Sequence, residues 1–412
     1  MKAPKLWPPA PTQWAVYTSS GRVLPNLRVI SLPKMVPKAR SVLETFSSTL
    51  CAALLLGASG CVLAGPVTVY GTVDTGMEVY YNGDKTNVRV SSGLREGSNF
   101  GFMGSELLGN GTEVFYKLES TIFVDTGSMA ADNRLFDREA LVGIRGNYGS
   151  LSLGRPYTPH FLTMAMIDPA GLTMSSAANY FACPQFEGTI NGYTADETTR
   201  FSNSISYDSP SFGGLTIQLY AALGEQTSAN SNSPTRGNVY NIGFRYQSGP
   251  LSVMASYLHQ NTAISGYADW DSYWAFGAAY DFEVIKPSIL YVHREGSDEA
   301  VGSNLGGTNT AKSPDLDMVQ LGASAPIGPG KFIATVGYLK NHSAEDGDAW
   351  AWGVRYDYPM SKKLTLYTGL TGIQNDDDAQ YSIGGGGSSS PGEPVAFGDD
   401  PMVYYAGMTY HF

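Results

Sequence analysis

The sequence predicts an all-β fold, a 16-stranded antiparallel transmembrane β-barrel with short turns at one end and long loops at the other. Three observations lead there. Sixteen stretches alternate apolar and polar residues with the period of a strand. The joints between them alternate between tight turns and long loops rich in Gly, Ser, Asn and Asp. The chain ends in YYAGMTYHF, which places Tyr404, Ala406, Met408, Tyr410 and Phe412 on one face and Tyr405, Gly407, Thr409 and His411 on the other. Termini usually fray, so a wholly apolar terminal face implies a strand pinned in a sheet with that face against something apolar.

Composition agrees. The 412 residues are 42% hydrophobic and 12% aromatic but only 15% charged, with 48 Gly and 26 Tyr. Such a chain favours many short strands with tight turns. After residue 64 no apolar run approaches the roughly 18 residues that a membrane-crossing helix requires. Cys51, Cys61 and Cys183 form neither a disulfide nor a metal pattern, and no cofactor motif is present.

Residues 1–64 read as an N-terminal extension followed by a secretory signal peptide at about 38–64. Lys38 and Arg40 open the segment, an apolar run covers about Leu50 to Ala58, and Val62-Leu63-Ala64 suits cleavage after Ala64. A single membrane anchor and lipidation at Cys61 stay open as alternatives. These 64 residues hold seven of the 26 basic residues and one of the 37 acidic ones, leaving 19 against 36, a net charge of −17. That balance argues against nucleic acid as a partner.

The strands follow from Val67. VTVYGTVDTGMEVYY is the first; 98–104, 112–120, 139–146 and 150–155 come next. After a long irregular stretch the series resumes at 200–208, 214–224, 239–247, 251–259, 273–281 and 286–294. It ends with 317–325, 331–340, 350–358, 363–372 and 403–412. A soluble propeller would also supply many strands. The polar faces here, however, carry Lys117, Glu119, Arg200, Gln218, Arg245, Arg355 and Asp357, too much charge for a dry interior. In lipid every backbone group must be paired, so the sheet has to close, with its apolar face outward and a wet lumen. Trp274, Tyr280, Trp350, Tyr358 and Tyr404 stand near strand ends, where interfacial girdles form.

Several stretches resemble one family: VTVYGTVDTGMEV, GSNFGFMGSELLGNGTEVFYKLES, TGSMAADNRLFDREALVGIRGNYGSLSLGRPYTP, RFSNSISYDSP and the terminal GMTYHF. They are similar to the trimeric general-diffusion porins of Gram-negative bacteria, of the Burkholderia, Comamonas, Bordetella and Neisseria type. The resemblance implies a porin barrel over 65–412 in the outer membrane, a third loop folded into the lumen, and passive diffusion of ions and small hydrophilic solutes. It also implies a homotrimer set among outer-membrane lipids and lipopolysaccharide and inserted by the assembly machinery. A channel preferring small organic anions is the alternative function. A barrel enzyme is a weaker one, since the five histidines are scattered and show no catalytic or metal spacing.

The constriction loop is placed at about 156–199, with Asp168, Glu187, Asp196 and Glu197 as its acids and Asp168 nearest the constriction. By the resemblance, Arg200 and Arg138 stand on the opposite wall. Alternation supports Arg200 in the lumen, whereas Arg138 shares the parity of Ala140, Val142 and Ile144 and so belongs at a strand mouth or bulge. Arg155 would brace the loop's base. Asn99 stands where many relatives carry Arg, which weakens any inference of strong anion selectivity. Phe412, with Tyr410 and Met408 in register, resembles the C-terminal signal read by the assembly machinery.

Overall fold

The computed structural model describes residues 67–412 except 131–133, 182–187, 191–192, 196–197, 225–236, 262–269, 297–314, 343–346, 385–387, 391–392 and 394. The extension and signal peptide, the three cysteines, Glu187, Asp196 and Glu197 lie outside the described residues.

The first hairpin settles how the wall begins. β1 (Thr68–Tyr81) rises from the turn end. β2 (Thr86–Ser92) pairs with its upper half and β3 (Asn99–Gly109) with its lower half, so together they make one wall strand interrupted at 93–98. Sequence reading placed only 98–104 here, and β2 is a correction. Asp84, Lys85 and Arg89 give the stretch the look of a loop, yet Arg89 turns inward onto Glu78 while Val88 and Val90 face out.

β4 (Thr112–Phe123), with the two-residue β5 (Ser128–Met129) on its outer end, leads to β6 (Glu139–Gly146) and β7 (Gly149–Arg155). The third loop then holds α1 (Pro159–Ile167), α2 (Ala177–Phe181) and a small hairpin of β8 (Gly188–Ile190) and β9 (Tyr193–Ala195). The wall continues through β10 (Ser204–Asp208), β11 (Leu215–Ala222), β12 (Val239–Ser248), β13 (Leu251–Asn261), β14 (Trp270–Tyr280) and β15 (Lys286–Gly296). It finishes with β16 (Leu316–Ile327), β17 (Gly330–Asn341), β18 (Ala349–Pro359), β19 (Leu364–Asn375) and β20 (Met402–His411). Each wall strand is antiparallel to its neighbours, and β20 pairs with both β19 and β1. With β2 and β3 counted as one, sixteen strands close the barrel.

Closure answers the question posed by the terminus. Tyr404, Met408 and Tyr410 are 52%, 50% and 42% exposed, whereas Tyr405 and Thr409 are fully buried. The Phe412 ring covers Gly71 of β1, and its backbone N–H donates to the Gly71 carbonyl at 3.1 Å. Trp274, Tyr280, Trp350 and Tyr358 also point outward. The outside is apolar because lipid offers no hydrogen bonds; the inside carries the polar half of every strand.

Candidate functional site

The third loop is built to be held against one wall. Thr158 caps α1, its Oγ1 accepting from the Phe161 N–H at 3.2 Å, and Pro159 starts the helix where its missing N–H costs nothing. The stretch read as irregular in the sequence therefore contains a nine-residue helix, signalled by Thr-Pro. His160, Thr163, Met164 and Ile167 bury one side of α1.

Room for the loop comes from glycines at mid-strand. A Cβ at Gly243 of β12 would lie 2.7 Å from Pro159, one at Gly322 of β16 2.7 Å from Pro169, and one at Gly353 of β18 2.7 Å from the Ser175 backbone. At Gly337 of β17 it would meet the Ala177 Cβ at 2.5 Å. Real Cβ atoms do not approach so closely, so these positions accept only glycine while the loop is seated.

Polar contacts pin both ends of α1. His160 donates its backbone N–H to Asn241 Oδ1 at 2.8 Å, and its Nδ1 lies 2.8 Å from Ser256 Oγ. Complete burial pushes the imidazole down to about 3, so it is neutral in the native channel. At the other end Asp168 is 5% exposed. Its Oδ2 accepts from the Leu172 N–H at 2.5 Å, and its Oδ1 from Gln320 Nε2 at 2.9 Å and the Ala170 N–H at 3.3 Å. Burial raises this carboxyl above its ordinary range.

The three arginines singled out from the sequence gather where the loop leaves the wall. Arg155 Nε donates to the Asp137 carbonyl at 2.8 Å and its guanidinium reaches the Arg200 carbonyl at 3.1 Å. Arg200 precedes β10, because Asn203 with φ 57° breaks the extended run, and its guanidinium lies 4.8 Å from the Tyr157 ring centre. Arg138 sits at the mouth of β6 and pairs with Glu119 at 2.5 Å. Asp168 bonds to β16, six strands further round the barrel from β10, and not to these arginines. Asn99 is buried and donates to the Gly97 carbonyl at 2.9 Å.

Between α1 and the wall of β3 to β11 lies an open space of about 820 Å³. Lys117, Glu139, Arg145, Asp208, Tyr157 and Leu162 are among its lining residues. Cations here stand beside acids: Lys117 with Glu139 and Glu119, Arg145 with Glu113 at 2.7 Å, Arg245 with Asp208 at 3.6 Å. The same pairing recurs elsewhere, as in Arg355 with Asp357 at 2.8 Å and Arg294 with Asp271 at 2.6 Å.

Described residues of a second loop, within 376–401, also turn inward. Ile383 N–H donates to the Tyr80 hydroxyl at 3.0 Å, Ser388 Oγ to the Ser92 carbonyl at 2.8 Å, and Asn179 of α2 to the Gly384 carbonyl at 2.9 Å. Arg89 joins Glu78 of β1 to Glu393 of this loop. Sequence reasoning found neither this loop's fold nor the Lys117–Glu139 pair. The glycine belt was legible in principle as one mid-strand Gly in strand after strand.

The closed barrel of sixteen strands with a loop folded into a charged lumen belongs to a sequence that a model of the Gram-negative porin family matches over residues 49–378. The chain belongs to this family. Outer membrane porin protein 32 of Delftia acidovorans is 30% identical across 88% of this chain and 99% of its own. An outer membrane porin protein of Bordetella pertussis is 29% identical across 77% of this chain and 91% of its own. The solved anion-selective porin from Comamonas acidovorans superposes with a TM-score of 0.70 at 25% identity, covering 84% of this porin and all of that chain. The porin is a multi-pass β-barrel of the outer membrane and a channel for passive diffusion. Its relatives are channels rather than enzymes.

Proposed function

We propose that this porin is a general-diffusion channel of weak ionic selectivity, narrowed where the 156–199 loop stands off the wall of β3 to β11. The pairing of lumen cations with acids carries this reading, because paired charges cancel within a few ångströms and leave only a shallow field for either sign. The net −17 adds little, since part of it lies at solvent-exposed positions such as Asp376, Asp377, Asp378 and Asp400, screened beyond roughly 8 Å at physiological salt. The Comamonas relative is an anion-selective porin; here Asn99, donating to the Gly97 carbonyl, brings no cation to the wall. In planar bilayers the folded protein is expected to give stepwise conductance with a reversal potential near zero in a salt gradient. Correctly folded protein that never conducts would overturn the reading.

In the same proposal Arg138, Arg155 and Arg200 set the local field at the loop's base, and Asp168 shapes the loop from within. Asp168 supports the constriction by holding α1 and the following turn, which its buried hydrogen bonds favour over a place facing solute.

Assembly completes the proposal. The outward faces of β1 to β7 carry Val69, Met77, Val88, Val90, Val142 and Leu153, all at least half exposed, while the described tryptophans lie on β14 and β18. Interfacial tryptophan marks a lipid boundary, so the aliphatic side is the one that packs protomer on protomer in a homotrimer. Unheated protein in mild detergent is expected to migrate near three times the monomer mass, and a strictly monomeric species would refute the trimer. Phe412, Tyr410 and Met408 are proposed as the assembly signal. Deleting Phe412 is expected to reduce insertion in cells more than refolding into detergent; equal losses would leave Phe412 only its packing on Gly71.

A further inference from the structure

The open part of the channel is not lined as a plain aqueous bore would be. Met103 turns into the lumen 42% exposed, and Leu162 faces it from α1. Phe115 stands diagonally across from Met103 on the wall, under Arg145, whose guanidinium carbon is 5.0 Å from the ring centre. Three apolar side chains, an apolar strip of Met103, Phe115 and Leu162, thus line a space that water fills. The charged groups bordering the same space are two cations, Lys117 and Arg145, and two acids, Glu139 and Asp208. Their charges sum to zero, so the space exerts no net pull on a solute of one sign. Both signs are nonetheless presented, since the Arg145 and Asp208 side chains are 51% and 36% exposed.

We infer that the channel binds in transit small zwitterions with an apolar side chain, the size of a single amino acid. The inference rests on the space being the open channel, as proposed above. A carboxylate of the solute meets Arg145 or Lys117, its ammonium meets Asp208 or Glu139, and its apolar part displaces water from Met103 and Leu162. At about 820 Å³ the space is within the range of small-molecule sites and leaves water beside a bound solute, so the solute is retarded without being trapped. A solute with one charge gains a single contact and leaves the other exposed pair unanswered. A zwitterion without an apolar side gains nothing from the strip.

The test is partial block of potassium chloride current through single channels by leucine, glycine, 4-methylpentanoate and 3-methylbutylamine. Leucine is expected to halve the current at about tenfold lower concentration than the other three. In the double variant Met103→Ser, Leu162→Ser this advantage disappears, while strand content by circular dichroism stays that of the native barrel. Equal block by leucine and glycine would overturn the strip, and equal block by leucine and 4-methylpentanoate would show that the lining reads anions alone. Absence of any stepwise current would instead defeat the channel reading on which the inference stands.

Discussion

Asp168→Ala is expected to unseat the third loop while leaving the barrel intact. The substitution removes the acceptor shared by the Leu172 and Ala170 N–H groups and Gln320 Nε2, all at buried positions. Each donor left without a partner costs about 1–3 kcal/mol, so the loop loses on the order of 4 kcal/mol of its hold on the wall. Single-channel conductance should rise and become noisier, and strand content by circular dichroism should not change. Gly322→Leu reaches the same end by steric displacement of Pro169. Unaltered conductance in both variants would remove the loop from the constriction.

The loop's hold also depends on pH, with a sign set by each end. His160 is neutral in the seated loop with its titration pushed down to about 3, against about 6.5 when exposed. The released loop therefore binds the extra proton, and this contribution is present above about pH 6.5 and is lost as pH falls toward 3. Asp168 acts oppositely. Its raised titration means that the seated loop binds the proton more tightly, so its contribution grows as pH falls through the carboxylate range. The two ends therefore oppose each other. His160→Gln should remove the part of the current noise that grows as pH falls below about 6.5, so at pH 5 the variant should be quieter than the native channel, and identical pH dependence in the two would contradict the assignment.

Arg138→Ala is expected to turn the channel toward cations. It strips Glu119 of the guanidinium at 2.5 Å and leaves Lys117 as the remaining cation beside two glutamates. One uncompensated unit charge about 4 Å from a passing ion is worth about 1 kcal/mol in water, favourable for a cation and unfavourable for an anion, so the cation-to-anion permeability ratio changes by up to roughly 30-fold. Reversal potentials in a salt gradient read this directly. Arg200→Ala should shift them in the same direction by less, because Arg200 is only 3% exposed and stacked on Tyr157. An unchanged potential in Arg138→Ala would mean that Glu119 takes a proton when its partner is removed.

Which parts were legible in the sequence follows from what each part depends on. The wall strands are local: alternation at period two in stretches such as Val403 to Phe412 states both that a strand forms and which face meets lipid. Closure and the outward aromatics could be read from the same pattern, and the family from the resemblance carried by stretches such as 139–157 and the terminal GMTYHF. The second wall strand was half missed because Arg89 has no reason to sit in a membrane strand until Glu78 and Glu393 are placed around it. The seat of the third loop is non-local altogether. Asp168 reads as a lumen acid in the sequence, and only its seat against Gln320, 152 residues away, makes it a buried support. The wall acids and cations around Lys117 became a charge-balanced lining once β4 and β6 were paired in register, Glu119 opposite Glu139. By itself the sequence determined the barrel, its orientation toward lipid and the existence of a long third loop, since these rest on periodicity and chain length. Only the tertiary structure decided where that loop lies and how the lumen charges cancel, because both depend on contacts between residues that the sequence keeps far apart and the closed sheet brings within a few ångströms.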